Sequence, residues 1–211
     1  IATHAYTNSG IFTVILTVSD GDTSSVVNKE ITVLNQGPTA VISMPDTVYK
    51  KKAVSFDANL STDPNGDTLT YTWDFGDGTQ NATGDTTVHV YAASGTYTVT
   101  ITASDGESSA STSKVITVLN QSPVAEINAS NAVNKNATAS YGGQLSTDPD
   151  YDTLSYSWDF GDGTAIKTGM IVEHAYTASG SFIVTLTVSD GEASATTSQT
   201  ITVYNQVPVA V

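Results

Sequence analysis

The chain of 211 residues has no cysteine and no arginine, and it contains only seven lysines. The absence of cysteine excludes disulfides, thiolate metal ligands and cysteine nucleophiles together. With a formal net charge of −14, the sequence offers no basic surface for a nucleic acid or an anionic membrane. No apolar run approaches the ~20 residues of a transmembrane helix, and no signal peptide is recognisable.

The most informative stretch is Leu69–Thr79, which returns almost unchanged as Leu154–Thr164. In both copies apolar and polar residues alternate, as is typical of a half-buried β-strand that ends in a Gly-Asp-Gly turn. The apolar face carries large aromatic residues, so we expect this strand to lie at the centre of a core. The predicted core residues are Tyr71, Trp73 and Phe75 in the first copy and Tyr156, Trp158 and Phe160 in the second.

The whole chain repeats with a period of 85 residues and without an insertion or deletion. His4, His89 and His174 have this spacing, and three Asp-Gly pairs share it. A unit of this length has the size of a small β-sandwich. We therefore predict the C-terminal part of a domain at 1–37, complete domains at 38–122 and 123–207, and the start of a further repeat at 208–211. Residues 1–37 lack the strands that would cover their apolar side, and we interpret the chain as a piece of a longer array rather than one completed by a second polypeptide.

Within a complete unit the pattern predicts seven short antiparallel strands and no helix. The first strand is predicted at Ala40–Ser43, and in the partial unit a strand is predicted at Thr3–Tyr6. The predicted fold class is all-β, with tandem immunoglobulin-like antiparallel sandwiches of about 85 residues each. Outward rows of threonine and serine are interpreted as a solvated sheet face, with O-glycosylation or an ice-binding face as the alternatives.

Two motifs make the units resemble a known family. Ser61–Asp67 and Tyr71–Gly78 resemble the PKD (polycystic kidney disease) domain in its microbial form, and the second copy departs from the pattern at Tyr151 and Phe182. The resemblance implies an immunoglobulin-like sandwich. Microbial domains of this kind occur in surface-layer and cell-envelope proteins, in adhesins, and as accessory modules of secreted hydrolases.

Two groups of residues could take part in catalysis or metal binding, but their sequence context favours structural roles. Asp74 and Asp77 could form the acid/base pair of a glycosidase, but they flank a tight turn and a small sandwich leaves no interior pocket. One histidine per unit, His89 or His174, cannot form a metal site alone, so we expect a hydrogen-bonded structural histidine. The sequence therefore predicts no enzyme activity.

The acidic loops predict a calcium site. Alternate loops of a sandwich lie at the same end, so the loops after the second and sixth strands should meet near the start of each unit. Carboxylates and an asparagine amide with no nearby Lys or Arg suit Ca²⁺, and the resemblance implies it because some members of the family bind calcium at matching positions. The alternative is that Asp63 and Asp148 cap their own turns. The candidate ligands are Asn35, Ser61, Asp63, Asp67 and Asp105 in the first complete unit and Asn120, Ser146, Asp148, Asp152 and Asp190 in the second.

Five Asn-X-Ser/Thr sequons matter only if the protein is secreted by a cell that glycosylates. They lie at Asn59, Asn81, Asn120, Asn128 and Asn136.

The predicted function is a non-catalytic, extracellular structural array in a surface layer, sheath, filament or adhesin stalk. Its partners would be neighbouring repeats and other copies in a fibre or layer, and short stiff linkers such as Val118–Pro123 would be rigidified by calcium. The alternative is an accessory binding module of a secreted hydrolase that contacts polysaccharide or protein. Such a module would present exposed aromatic residues, for which Tyr49, Tyr151 and Tyr204 are the candidates.

Overall fold

The computed structural model describes residues 1–205, which form β-strands and loops. Among them, no helix has the length and hydrophobicity to cross a membrane. The predicted start of a further repeat at 208–211 lies outside the described residues. The strands are β1 (Gly10–Ser19), β2 (Ser24–Val33), β3 (Thr47–Tyr49), β4 (Ala53–Asp57), β5 (Thr70–Asp74), β6 (Ala82–Thr83), β7 (Thr86–Val90), β8 (Gly95–Ser104), β9 (Ser109–Leu119), β10 (Ala132–Asn134), β11 (Ala139–Gly142), β12 (Ser155–Asp159), β13 (Lys167–Thr168), β14 (Ile171–His174), β15 (Gly180–Ser189) and β16 (Ser194–Tyr204).

The chain divides into two compact units. The first unit comprises Ile1–Val48, Lys52–Tyr91 and Gly95–Thr117, and the second comprises Tyr49–Lys51, Ala92–Ser94 and Val118–Val211. One five-stranded sheet has the order β3-β9-β8-β5-β6 and is accompanied by the pair β4-β7; the other has the order β10-β16-β15-β12-β13 and is accompanied by β11-β14. This is the predicted fold class, an all-β tandem of immunoglobulin-like sandwiches.

Each interior is built around the tryptophan of the central strand. Trp73 and Trp158 are fully buried. In the first unit, the ring of Phe56 on β4 lies 5.8 Å from that of Trp73 on β5, so the two sheets pack face to face. In the second unit, the ring of Tyr141 on β11 lies 6.3 Å from that of Trp158. Phe75 and Phe160 are buried as predicted, whereas Tyr71 and Tyr156, also predicted as core residues, are only half-buried.

The turn after β5 requires glycine at its first position. Gly76 has a φ of 75°, and a Cβ there would lie 2.4 Å from the carbonyl oxygen of Thr98. Asp74 Oδ1 accepts the N–H of Gly76 at 2.9 Å, which ties the end of the strand to its own turn. The repeated Gly-Asp-Gly motif therefore allows the chain to pass close to the neighbouring strand β8.

Two predicted strands are wrong. Thr3–Tyr6 forms no strand, and Ala40–Ser43 contributes only an isolated bridge between Ser43 and Asp57. The N–H of Val41 is bound at 3.0 Å by the hydroxyl of Ser61 instead of by a strand partner, so the ladder is interrupted. A strand that the sequence analysis missed, β10, pairs in parallel with β16.

The hairpin of β1 and β2 shows what the opposing sheet contributes. Its register, Gly10 opposite Val33, is the register of β15 and β16 shifted by 170 residues. Leu16 is nevertheless 61% exposed, whereas its counterpart Leu186 is fully buried. The hairpin therefore keeps the strand pairing of β15 and β16, while most of its apolar side chains stay exposed.

We expect Trp158→Ala to destabilise the second unit by ~3–5 kcal/mol, because it removes a fully buried aromatic side chain and leaves a cavity. Ile183→Ala, on an exposed position of the neighbouring strand β15, is the matched control and should change stability by less than about 0.5 kcal/mol. Urea unfolding followed by tryptophan and tyrosine fluorescence measures both. Equal losses in the two variants would contradict a core organised around the tryptophan.

Candidate functional site

In the first unit, the segment before the complete domain contacts both acidic loops. Asn35 Nδ2 donates to Asp105 Oδ2 at 2.8 Å, and the N–H of Gln36 donates to Asn65 Oδ1 at 2.8 Å. Asp63 Oδ1 accepts the N–H of Asn65 at 2.7 Å, while its Oδ2 is buried without a hydrogen-bond partner in the part of the chain described. These residues meet as the loop argument predicts.

Two predicted ligands of the first unit stand apart from that group. The hydroxyl of Ser61 accepts the N–H of Val41 at 3.0 Å and thereby braces the start of the domain. Asp67 is exposed, although its N–H reaches Asp63 Oδ1 at 3.3 Å.

The second unit repeats these contacts with more burial. Asn120 Nδ2 donates to Asp190 Oδ2 at 2.9 Å, and the N–H of Gln121 donates to Asp150 Oδ2 at 2.7 Å. Asn120 Oδ1 is buried and has no hydrogen-bond partner among the described residues. Ser146, like Ser61, binds backbone instead and accepts the N–H of Glu126 at 3.0 Å.

Three carboxylates of the second unit converge. One oxygen each of Asp148, Asp150 and Asp152 lies within 4.8 Å of the others. Asp150 is fully buried, and sequence reasoning missed it because the first copy has Asn65 at this position. Asp148 Oδ1 accepts the N–H groups of Asp150 and Asp152 at 2.8 and 3.1 Å, as a turn cap does, but its buried Oδ2 has no hydrogen-bond partner in residues 1–205. Turn capping therefore accounts for one oxygen of Asp148 and leaves the other available.

A buried lysine lies beside this cluster, which corrects the expectation of no nearby Lys or Arg. Lys50 is 3% exposed, and its Nζ lies 2.6 Å from Asp152 Oδ2 and 2.6 Å from Glu192 Oε1. Lys51 also binds Asp152, and Ser94 donates to Glu192. Asp152 and Glu192 follow Lys50 by about 100 and 140 positions in the sequence. No local sequence pattern could therefore predict these contacts.

The ion pairs alter the acid–base properties of their members. Burial pushes the pKa of Lys50 down, but the hydrogen bonds to Asp152 and Glu192 outweigh it and the net pKa is raised. The same hydrogen bonds, with those from Lys51 and Ser94, hold the pKa of Asp152 and of Glu192 below their usual ranges. Lys50, Asp152 and Glu192 are therefore charged at neutral pH.

The histidines occupy structural positions. His89 Nε2 lies 2.7 Å from Asp77 Oδ2, and its ring stacks on Phe75 at 4.0 Å. His174 repeats the pair with Asp162 at 2.8 Å. Burial raises the pKa of Asp77, but hydrogen bonds from Thr79 and His89 outweigh it and the net pKa is lowered. The histidine–aspartate pair joins the Gly-Asp-Gly turn to β7.

The remaining candidate residues lie at the surface. Tyr49, Tyr151 and Tyr204 are exposed. The sequon residue Asn120 is half-buried, and its amide is engaged by Asp190. The exposed sequon residues are Asn59, Asn81, Asn128 and Asn136.

Comparisons with known proteins match the same units. A family model described as "PKD domain" matches residues 35–119 and 120–204. The chain is 36% identical over 113 residues to collagenase ColA of Clostridium perfringens, which covers 53% of this chain and 10% of that protein. It is 30% identical over 224 residues to chitinase A of Pseudoalteromonas piscicida, covering 96% of this chain and 27% of that protein. The chain thus spans only a small part of these relatives. A solved structure, the PKD1 domain of Vibrio anguillarum Epp, is 29% identical with a TM-score of 0.36, over 40% of this chain and 96% of that domain.

We expect Lys50→Met to destabilise the second unit, because it removes the buried ammonium group that Asp152 and Glu192 share and leaves Asp152 with Lys51 alone. Lys114→Met is the matched control, since Lys114 pairs with Asp46 where both side chains are exposed, and it should cost less than about 1 kcal/mol. Urea unfolding measures the difference. A loss for Lys50→Met no larger than that of the control would show that the buried cluster contributes nothing.

Proposed function

Because the chain belongs to the PKD domain family, we propose that it is a non-catalytic, extracellular accessory region of a secreted enzyme, which contacts that enzyme's polymeric substrate. The proposal rests on the hydrogen bonds that the carboxylates of the repeated motif accept. Asp74 and Asp77 accept hydrogen bonds within their own turn, from Gly76 and Thr79, and the second unit repeats this arrangement. Residues that cap a turn in every copy are suited to building the domain rather than to acid/base catalysis.

The relatives support this assignment over a purely structural array. They include collagenases and a chitinase, enzymes named for polymers, and the chain corresponds to a minor part of each. An accessory region that binds a polymer raises the local concentration of the enzyme on it without adding a catalytic group.

The second candidate is the structural array of a surface layer, filament or adhesin stalk. The constant period of 85 residues and the identical register of the two hairpins favour it, since regular repeats assemble in series. It predicts association between molecules in the absence of any polymer.

We also propose that the acidic end of each unit binds Ca²⁺. Unpartnered buried oxygens on Asp63, Asn120 and Asp148 are the atoms that a hard cation would satisfy, and carboxylate and amide oxygens are its preferred ligands. Asp152 is held by two lysines, so Asp148, Asp150 and Asn120 would hold the ion in the second unit. Bound calcium would supply positive charge and cross-link the loops that hold it. That calcium also stiffens the linkers between units stays a prediction.

Calcium binding is tested by calorimetric melting in 10 mM CaCl₂ and in chelator. A dissociation constant of ~1 mM gives a stabilisation of about 1.4 kcal/mol at this concentration. Asp148→Asn should abolish the gain of the second unit and leave that of the first, whereas Asp46→Asn, at an exposed position outside the cluster, should keep both. No gain in the unsubstituted chain, or an equal gain with MgCl₂, would contradict a calcium site.

Co-sedimentation of the full chain with insoluble chitin and with collagen fibres tests the accessory function. We expect retention by at least one polymer with a dissociation constant below about 100 µM. Sedimentation velocity without polymer tests the alternative. Assembly into large species together with no retention by either polymer would favour the structural array and contradict the accessory function.

A further inference from the structure

Asn65 and Gly66 form the only Asn-Gly pair of the sequence, and they lie in the acidic loop of the first complete domain. Asparagine followed by glycine is prone to spontaneous loss of ammonia, because no β-carbon shields the backbone nitrogen that attacks the asparagine side chain. Both residues are exposed, so water reaches the pair. A Cβ at Gly66 would meet nothing within 4 Å outside its chain neighbours, so the turn has open space on this side.

A hydrogen-bond donor already lies at the oxygen that gains charge in this reaction. Asn65 Oδ1 accepts the N–H of Gln36 at 2.8 Å. When the nitrogen of Gly66 attacks Asn65 Cγ, negative charge develops on Oδ1, and the donor stabilises it as in an oxyanion hole. The N–H of Gly66 donates to the carbonyl of Asp63 at 3.2 Å, the upper end of the range for such bonds. Because this bond lies in an exposed turn, a local fluctuation frees the nitrogen.

The second unit holds the product of this reaction at the same position of the repeat. Asp150 is the counterpart of Asn65, and its Oδ2 accepts the N–H of Gln121 at 2.7 Å. Asp148 Oδ1 accepts the N–H of Asp150 at 2.8 Å, and Asp63 Oδ1 accepts that of Asn65 at 2.7 Å. A carboxylate at position 65 would therefore meet the same backbone donors, and the loop would need no rearrangement to hold it.

We propose that Asn65 is a self-modification site, which converts to aspartate and gives the first unit the three loop carboxylates of the second. The nitrogen of Gly66 bonds to Asn65 Cγ and the Cγ–Nδ2 bond breaks, so that Nδ2 leaves as ammonia with the proton of Gly66. Water then attacks Cγ of the resulting succinimide, which breaks the new bond, returns a proton to the nitrogen and leaves a carboxyl group. One water is consumed, one ammonia is released and one negative charge is added.

The added carboxylate would change the cation-binding capacity of the first unit. Aspartate at position 65 would stand between Asp63 and Asp67, in the order of the three converging carboxylates of the second unit, Asp148, Asp150 and Asp152. A further carboxylate is a further hard ligand for Ca²⁺. This consequence rests on the calcium binding proposed above, whereas the modification itself does not.

Prolonged incubation of the full chain in mildly alkaline buffer, followed by peptide mapping with mass spectrometry, tests the modification. We expect the peptide that contains residue 65 to gain about 1 Da, and to do so faster than the peptides with the other asparagines. Gly66→Tyr is the matched control, since Tyr151 holds this position in the second unit with a φ of 61°, against 80° for Gly66. A side chain beside the attacking nitrogen should slow the conversion at least about tenfold. No gain at residue 65, or an equal rate in the control, would overturn the proposal.

The identity of the product is tested separately. If water attacks the backbone carbonyl of the succinimide instead of Cγ, the product is isoaspartate, which lengthens the main chain by one carbon. We expect aspartate as the main product, because Asp63 Oδ1 holds the N–H groups of residues 65 and 67 in the normal register. Isoaspartate methyltransferase labels the other product, and isoaspartate alone would overturn the conversion to the carboxylate set of the second unit.

Asn65→Asp supplies the product directly and separates the modification from the calcium proposal. In calorimetric melting, we expect this variant to show a larger gain from CaCl₂ in the first unit than the freshly purified unsubstituted chain. Asn81→Asp, at an exposed asparagine outside the loop, controls for the added charge. An equal gain in the two variants would overturn the link to calcium. If residue 65 converts while no variant responds to CaCl₂, the modification stands and the calcium proposal fails.

Discussion

The hydrogen bond from the buried indole of the central strand is the interaction on which each unit depends. Trp73 Nε1 donates to the carbonyl of Gly84 at 2.9 Å, and Trp158 Nε1 donates to Gly169 at 3.0 Å. A buried indole N–H without an acceptor would cost free energy, so the tryptophan fixes the segment after the short edge strand as well as filling the core. That segment also donates a backbone N–H to the central strand, from Gly84 to the carbonyl of Tyr71 and from Gly169 to that of Tyr156, so the packing of the core and the course of the edge segment depend on each other.

The long strands were predictable because their apolar residues alternate over many positions. β8 and β15 each alternate fully buried and half-buried residues over most of their length, and such a period-two pattern identifies a half-buried strand without reference to the rest of the chain. The prediction of a first strand at Ala40–Ser43 failed because of a tertiary contact. The Ser61 hydroxyl accepts the N–H of Val41, which a strand ladder would need. Short strands such as β10 contain too few residues for a period to be visible.

The sequence predicts that the acidic loops meet at one end of each unit, but it does not predict how their charges are paired. The fold places Asn35 beside Asp105 and Asn120 beside Asp190, as the order of strands implies. Lys50 could not be assigned to Asp152 from the sequence, because nothing in a run of three lysines shows which one becomes buried. Its ammonium group neutralises part of the charge at this end of the second unit, while Asp148 and Asn120 keep buried oxygens without hydrogen-bond partners among the described residues. The site thus combines an internal cation with oxygens still available to a metal.

Two copies of one fold in one chain separate what the fold requires from what a surface adds. The hydrogen bond that caps the turn and the one from the buried tyrosine hydroxyl to the phenylalanine of the motif recur in both units with the same distances, so folding alone explains them. Asp85 and Met170 occupy the same position of the repeat, and both are exposed, so the core does not decide between them. The exchange of a charge for exposed apolar surface carries a solubility cost with no gain in the core.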